Sequence, residues 1–204
     1  SVVSAEDYEG LRSTKGTTIS AWIKPERITG GWQCMYRKED GARRLLAIGQ
    51  EGPHWGVWSG FVINGRYLEY GEPFDRKVLG DGQWHHLAAS YNGAELALYV
   101  DGKSIGRKPF RGSLGSGDDS PAFVGAYKGT GERFQGAIDD LRIYDRGLAQ
   151  AEVAQLATAN PKSSSTSQSS SIRLSRSDPR SPRTQRTKAP AKDRCARTVS
   201  PWPK

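Results

Sequence analysis

Between residues 17 and 144 the apolar residues come in short runs broken by glycine-rich turns. That punctuation favours strands over helices. In Thr17-Thr18-Ile19-Ser20-Ala21-Trp22-Ile23, residues 19, 21 and 23 share one face of a strand while 18, 20 and 22 share the other. The sharpest local signal is Asn64-Gly65, set between Gly60-Phe61-Val62-Ile63 and Arg66-Tyr67-Leu68-Glu69-Tyr70. A type I′ hairpin turn needs positive φ at both central residues, and this dipeptide supplies it. A second hairpin is expected where residues 84–91 meet 95–100 across Asn92-Gly93-Ala94, and Asp101-Gly102 turns the chain into 103–106. Further strands are expected at 44–49, 122–126 and 137–144. Strands at this spacing, without helical patterns between them, predict an all-β, two-sheet antiparallel sandwich. One short C-terminal helix is expected, because Leu148, Glu152, Val153 and Leu156 recur at helical spacing among alanines.

The formal net charge of +8 is unevenly placed. Residues 1–160 carry −1 and residues 161–204 carry +9; all 24 glycines lie in the first part, and 11 Ser with 6 Pro lie in the second. The second part has few apolar residues and no periodicity, so it cannot offset an ordering cost of ~1–2 kcal/mol per residue. The expected organisation is therefore a folded domain over 1–158 and a disordered Ser/Arg/Pro-rich basic tail over 159–204. Such a tail could hold an anionic polymer by counterion release, although a solvated linker accounts for the same composition. Trp202 is its one aromatic residue, so sequence-specific nucleic-acid recognition is not indicated. No run of ~18 apolar residues proposes a membrane span, and no secretory signal pattern opens this text. Cys34 and Cys195 make no disulfide framework, and no Cys/His group has zinc-site spacing.

Three segments together resemble the LamG-like jelly roll, of the concanavalin A-like lectin/glucanase type. They are TTISAWIKPE at 17–26, GQWHHLAASYNGAELALYVDGKSIG at 82–106 and FQGAIDDLRIYDRGLAQAEVAQL at 134–156, in the family's order. The resemblance covers about residues 5–157. It implies one concave and one convex sheet and an extracellular or cell-envelope location. At the N-terminal edge only Asp7-Tyr8 matches the family's opening strand.

The resemblance also implies a single structural calcium, held by a carboxylate of the closing strand and by oxygens of the N-terminal loop. Asp139 and Asp140 lie in that strand, where neighbours face opposite ways; Asp140 is the preferred ligand and Asp7 a second contributor. Calcium needs six to eight oxygens, so carbonyls and waters would complete the shell. Solvated or locally bonded aspartates are the alternative. Pentraxins share the architecture and bind paired calcium ions through an acid-rich loop, but here VGAYKGTGERFQG offers Glu132 alone. Glucanases of the superfold place two carboxylates at alternate positions of one strand, as Glu-x-Asp-x-Glu. No such triplet occurs, so no enzyme activity is expected. His85 and His86, beside Trp84, are expected to be one packed and one hydrogen-bonded at the surface.

Carbohydrate or surface-ligand binding is the favoured expectation, because sugars present apolar C–H faces that aromatic rings can cover. Candidate platforms are Trp32, Tyr36, Trp55, Trp58, Tyr67 and Tyr70. Trp55 and Trp58 are three apart, so a regular strand sends them to opposite faces. Core filling competes for each ring, and Trp22 and Trp84 are read as structural. A protein–protein adhesion or spacer role is the alternative.

Overall fold

The alternation of residues 17–23 becomes a two-sided strand in the computed structural model, which describes residues 3–5, 14–39, 43–115, 121–128, 130–159 and 173–174. Ile19, Ala21 and Ile23 of β2 (Thr17–Pro25) point between two sheets, and each is fully buried. Sheet I runs in the order β1-β10-β3-β4-β5-β6. Its strands are β1 (Val3–Ala5), β3 (Gln33–Lys38), β4 (Arg44–Glu51), β5 (His54–Ile63), β6 (Arg66–Pro73) and β10 (Ala122–Val124). Sheet II runs β12-β11-β2-β7-β8-β9, adding β7 (His85–Tyr91), β8 (Glu95–Val100), β9 (Lys103–Pro109), β11 (Gly136–Tyr144) and β12 (Arg173–Leu174). All pairings are antiparallel except that of β12 with β11. The predicted sandwich is therefore the observed architecture.

The core lies between the sheets, where Ile19 and Leu87 of sheet II face Leu46, Ile48 and Phe61 of sheet I in one buried cluster. The predicted turns carry the required backbone. Asn64 and Gly65 sit at φ 49° and 74°, and Asp101 and Gly102 at 49° and 74°. The second pair lets β8 fold directly onto β9.

The predicted helix is α2 (Gln150–Leu156), which covers part of the outer face of sheet II. Val153 and Leu148 pack there with Ala88, Ala97 and Tyr99. Thr18, fully buried in β2, fixes the approach to α2: its hydroxyl donates to the Arg146 carbonyl at 2.9 Å and accepts from Leu148 N–H at 2.8 Å. At the helix start Glu152 accepts from Ala149 N–H at 2.9 Å and pairs with Arg146 at 2.6 Å, which holds its carboxyl down to about 2.

Several elements depart from the pattern. The four-residue α1 (Arg76–Leu79) is too short for helical periodicity to show. In β3 a register shift between Cys34 and Tyr36 erases the alternation. β5 begins at His54, six residues before its apolar run, because Gly56 and Trp58 continue the ladder with β4 and β6. The expected disorder of the tail lies outside the described residues apart from Arg173–Leu174, which pair with Arg142 and Ile143. No helix among the described residues is long and apolar enough to cross a membrane.

Candidate functional site

Alternation along β4, β5 and β6 turns one side of sheet I outward, and glycine occupies several of those outward positions. A Cβ placed on Gly71 would lie 2.1 Å from the Trp58 ring. At Gly60 it would lie 2.3 Å from the Tyr67 hydroxyl, and at Gly49 it would lie 2.7 Å from the Trp32 ring. No side chain with a β-carbon fits beneath these rings, so each lies directly against bare backbone. Trp32 and Trp58 meet edge-to-face, with centroids 5.2 Å apart and planes at 68°. Trp58 Nε1 donates to the Gly49 carbonyl at 3.1 Å, which fixes its tilt. Beneath Trp32, the buried Cys34, Leu45 and Ala47 make an apolar floor, and burial pushes the Cys34 thiol pKa far up. Two half-buried indoles thus form a corner open to solvent.

Charged groups border this corner in a fixed arrangement. Arg37 pairs with Glu39 and, at 2.7 Å, with Glu132, and its guanidinium lies 4.0 Å over the Tyr127 ring. Arg43 pairs with the other Glu39 oxygen at 2.9 Å and lies 4.7 Å over Tyr67. The Tyr67 hydroxyl donates to Glu69. Burial raises the Glu69 carboxyl above its usual range, Glu51 raises it further, and Tyr67 partly offsets this. Burial and the neighbouring carboxylate also push the Tyr67 phenol up, so it remains a donor. Among the described residues Glu69 has no cation within ion-pair distance.

Of the six aromatic candidates, the structure brings Trp32, Trp58 and Tyr67 onto this face. Tyr36 and Trp55 are 1% and 8% exposed and belong to the core between the sheets, and Tyr70 packs against that core with its hydroxyl donating to Glu72. Trp55 and Trp58 do face opposite ways. Glu69, Arg37, Arg43 and the supporting glycines were missed by sequence reasoning. A visible signal existed for part of it: in Tyr67-x-Glu69-x-Gly71 an aromatic, an acid and a glycine alternate on one face.

The histidines divide by face. His86 is 2% exposed and meets Trp22 on the outer side of sheet II at 5.4 Å; desolvation pushes its pKa down to about 4. His85 is also buried, at 7% exposure, rather than at the surface. Its Nδ1 lies 2.9 Å from Asp101 and its Nε2 3.1 Å from Asp81. The hydrogen bond to Asp101, opposed by burial and helped by Asp81, raises the His85 pKa.

Asp140 does not present a free carboxylate for calcium. It sits at φ 47° in a β11 bulge and is held by Arg142 through both oxygens, at 2.8 and 2.7 Å. Asp139 accepts the Asp140 N–H at 2.8 Å, and Asp7 lies outside the described residues. Among the described residues no three His, Cys, Asp or Glu side chains are grouped to hold a metal. The N-terminal loop expected to complete the calcium shell lies outside the described residues, and among the described ones Asp140 is engaged by Arg142.

Similar proteins share this frame. Human Pentraxin-4 is 25% identical over 162 residues, 72% of this chain and 32% of that protein, so the chain spans about a third of its length. Domain 4 of an extracellular GH43 arabinanase from Geobacillus stearothermophilus, solved in complex with arabinotriose, superposes with a TM-score of 0.51. It is 24% identical, over 72% of this chain and 69% of that one. Domains LG4-5 of the mouse laminin alpha1 chain give 0.53 at 19% identity, over 72% and 41%. These two likenesses establish the fold alone. A laminin G family model, described as the concanavalin A-like lectin/glucanases superfamily, matches residues 1–154, and the chain belongs to that family.

Proposed function

We propose that the domain is a non-catalytic glycan-binding module whose ligand lies on the outer face of sheet I. The observation that carries this reading is the Trp32–Trp58 corner laid on glycine backbone, with Glu69 alternating with Gly71 beside it. Indole faces suit the C–H faces of a pyranose or furanose ring, and a carboxylate oxygen beside them suits its hydroxyls. Because Tyr67 is covered by Arg43, the indoles supply the stacking surface and Tyr67 positions Glu69. The arabinotriose held by the arabinanase domain is consistent with a sugar ligand on this fold, and an extracellular or cell-envelope setting belongs to the same proposal. Absence from the sequence of carboxylates in a Glu-x-Asp-x-Glu arrangement supports binding without hydrolysis.

A glycan array with the full chain and with Trp58→Ala tests this. Loss of a central aromatic anchor costs about tenfold or more in affinity. The expected result is glycan signal that Trp58→Ala abolishes while the melting temperature stays near wild type. Signal indifferent to Trp58 would refute the site, and uniform absence of signal would favour a protein-binding or spacer role.

A further inference from the structure

The charges around the indole corner carry information about which sugars it accepts. Among the described residues, the guanidiniums of Arg37 and Arg43 reach this face, and both are already engaged by carboxylates. Arg37 is held between Glu39 and Glu132 and lies against Tyr127, while Arg43 is held by Glu39 and lies against Tyr67. Arg37 gives up charge-assisted hydrogen bonds to two carboxylates when it turns to a new anion and Arg43 gives up its pair with Glu39, so the exchange gains little. Lys128 is exposed, with its ammonium 5.2 Å over the Tyr127 ring.

The carboxylates are in the opposite position. Glu69 uses one oxygen to accept from Tyr67 and has no cation within ion-pair distance among the described residues. It alternates with Gly71, the residue on which the Trp58 ring rests, so its side chain is on the same outward face as that ring. Glu51 and Glu132 act on Glu69 as like charges, and Arg37 acts as an opposite one. A sulfate, a uronate or a sialic carboxylate stacked at Trp58 would meet, across a half-buried and poorly screened surface, a carboxylate that no cation among the described residues pairs. A sugar hydroxyl would meet an acceptor instead.

We infer that this face selects uncharged sugars and rejects acidic ones, with Glu69 as the residue that both accepts a sugar hydroxyl and excludes the anion. The inference rests on the glycan-binding reading of the Trp58 face. It separates the domain from the basic tail, whose +9 charge favours the opposite class of polymer.

The test uses the full chain on an array that groups neutral, uronic, sialylated and sulfated glycans, comparing wild type, Trp58→Ala and Glu69→Gln. Subtracting the Trp58→Ala signal removes whatever the tail contributes, because the tail is identical in all three proteins. The expected Trp58-dependent signal falls on neutral glycans, at least tenfold above their acidic counterparts, and changes little with added salt. Glu69→Gln weakens the neutral signal severalfold and narrows the neutral-to-acidic ratio. Trp58-dependent signal on acidic glycans equal to or above the neutral ones overturns the selectivity while leaving the site intact. An unchanged ratio in Glu69→Gln overturns the role of Glu69, and no Trp58-dependent signal on any glycan overturns the underlying reading instead.

Discussion

His85 and His86 are neighbours in β7 with opposite electrostatic fates, because adjacent strand residues enter different surroundings. His85, between Asp101 and Asp81, has a folded pKa above its ordinary 6.5. Its contribution to stability is therefore complete below pH 6.5 and is lost as pH rises through the raised value. His86 is pushed down to about 4, so between pH 6.5 and 4 the unfolded chain binds a proton that the folded one refuses. Stability falls across that window on acidification, by up to about 3 kcal/mol. Thermal melts against pH should thus peak near 6.5, with His85→Gln flattening the alkaline limb and His86→Gln the limb between 6.5 and 4. An alkaline limb unchanged in His85→Gln would count against the pairing of His85 with Asp101 and Asp81. Asp101 and Asp81 both end below the usual carboxylate range and add stability above it that disappears only in stronger acid. Burial opposes the shift of Asp101, and His85 and the His86 N–H overcome it; the Gln83 N–H leads at Asp81. The sequence showed two histidines beside a tryptophan, but the second carboxylate arrives from the turn at Asp101, a contact that only the β7–β8 pairing creates.

At the scale of elements, hairpins were the most legible feature, because a turn's chemistry is local. Asn64-Gly65 and Asp101-Gly102 announced their backbone in the residue types themselves. Helix α2 was legible for the same reason, although its stability is tertiary: a seven-residue helix is marginal alone and depends on what it covers. Val153 is fully buried against the outer side of sheet II, so Val153→Ala should cost about 2 kcal/mol in denaturant unfolding. Since the proposed glycan face is on the other sheet, that variant should bind glycans as wild type does wherever it remains folded. Coupled loss of both would argue that the site is not confined to sheet I. Strand β3 was illegible, because its bulge breaks the period that a reader relies on.

For the molecule as a whole, the calcium expectation and the charge separation both turn on how distant segments meet. With Arg142 holding both Asp140 oxygens, chelation followed by added calcium should leave the melting temperature unchanged. A calcium-dependent rise would show that Arg142 yields the carboxylate to a metal. Residue order alone determined that this chain builds an antiparallel sandwich closed by a short helix, since turn chemistry and strand period act over a few neighbours. It also determined that the positive charge lies in the tail, leaving 1–160 at −1. Tertiary structure decided which aromatic rings are core and which are surface. Trp55 and Trp58 are chemically identical, and period two separates them without saying which side is inside. That choice was made by the packing of sheet II against one face of sheet I, which buried Tyr36 and Trp55 and left Trp32, Trp58 and Glu69 to the solvent.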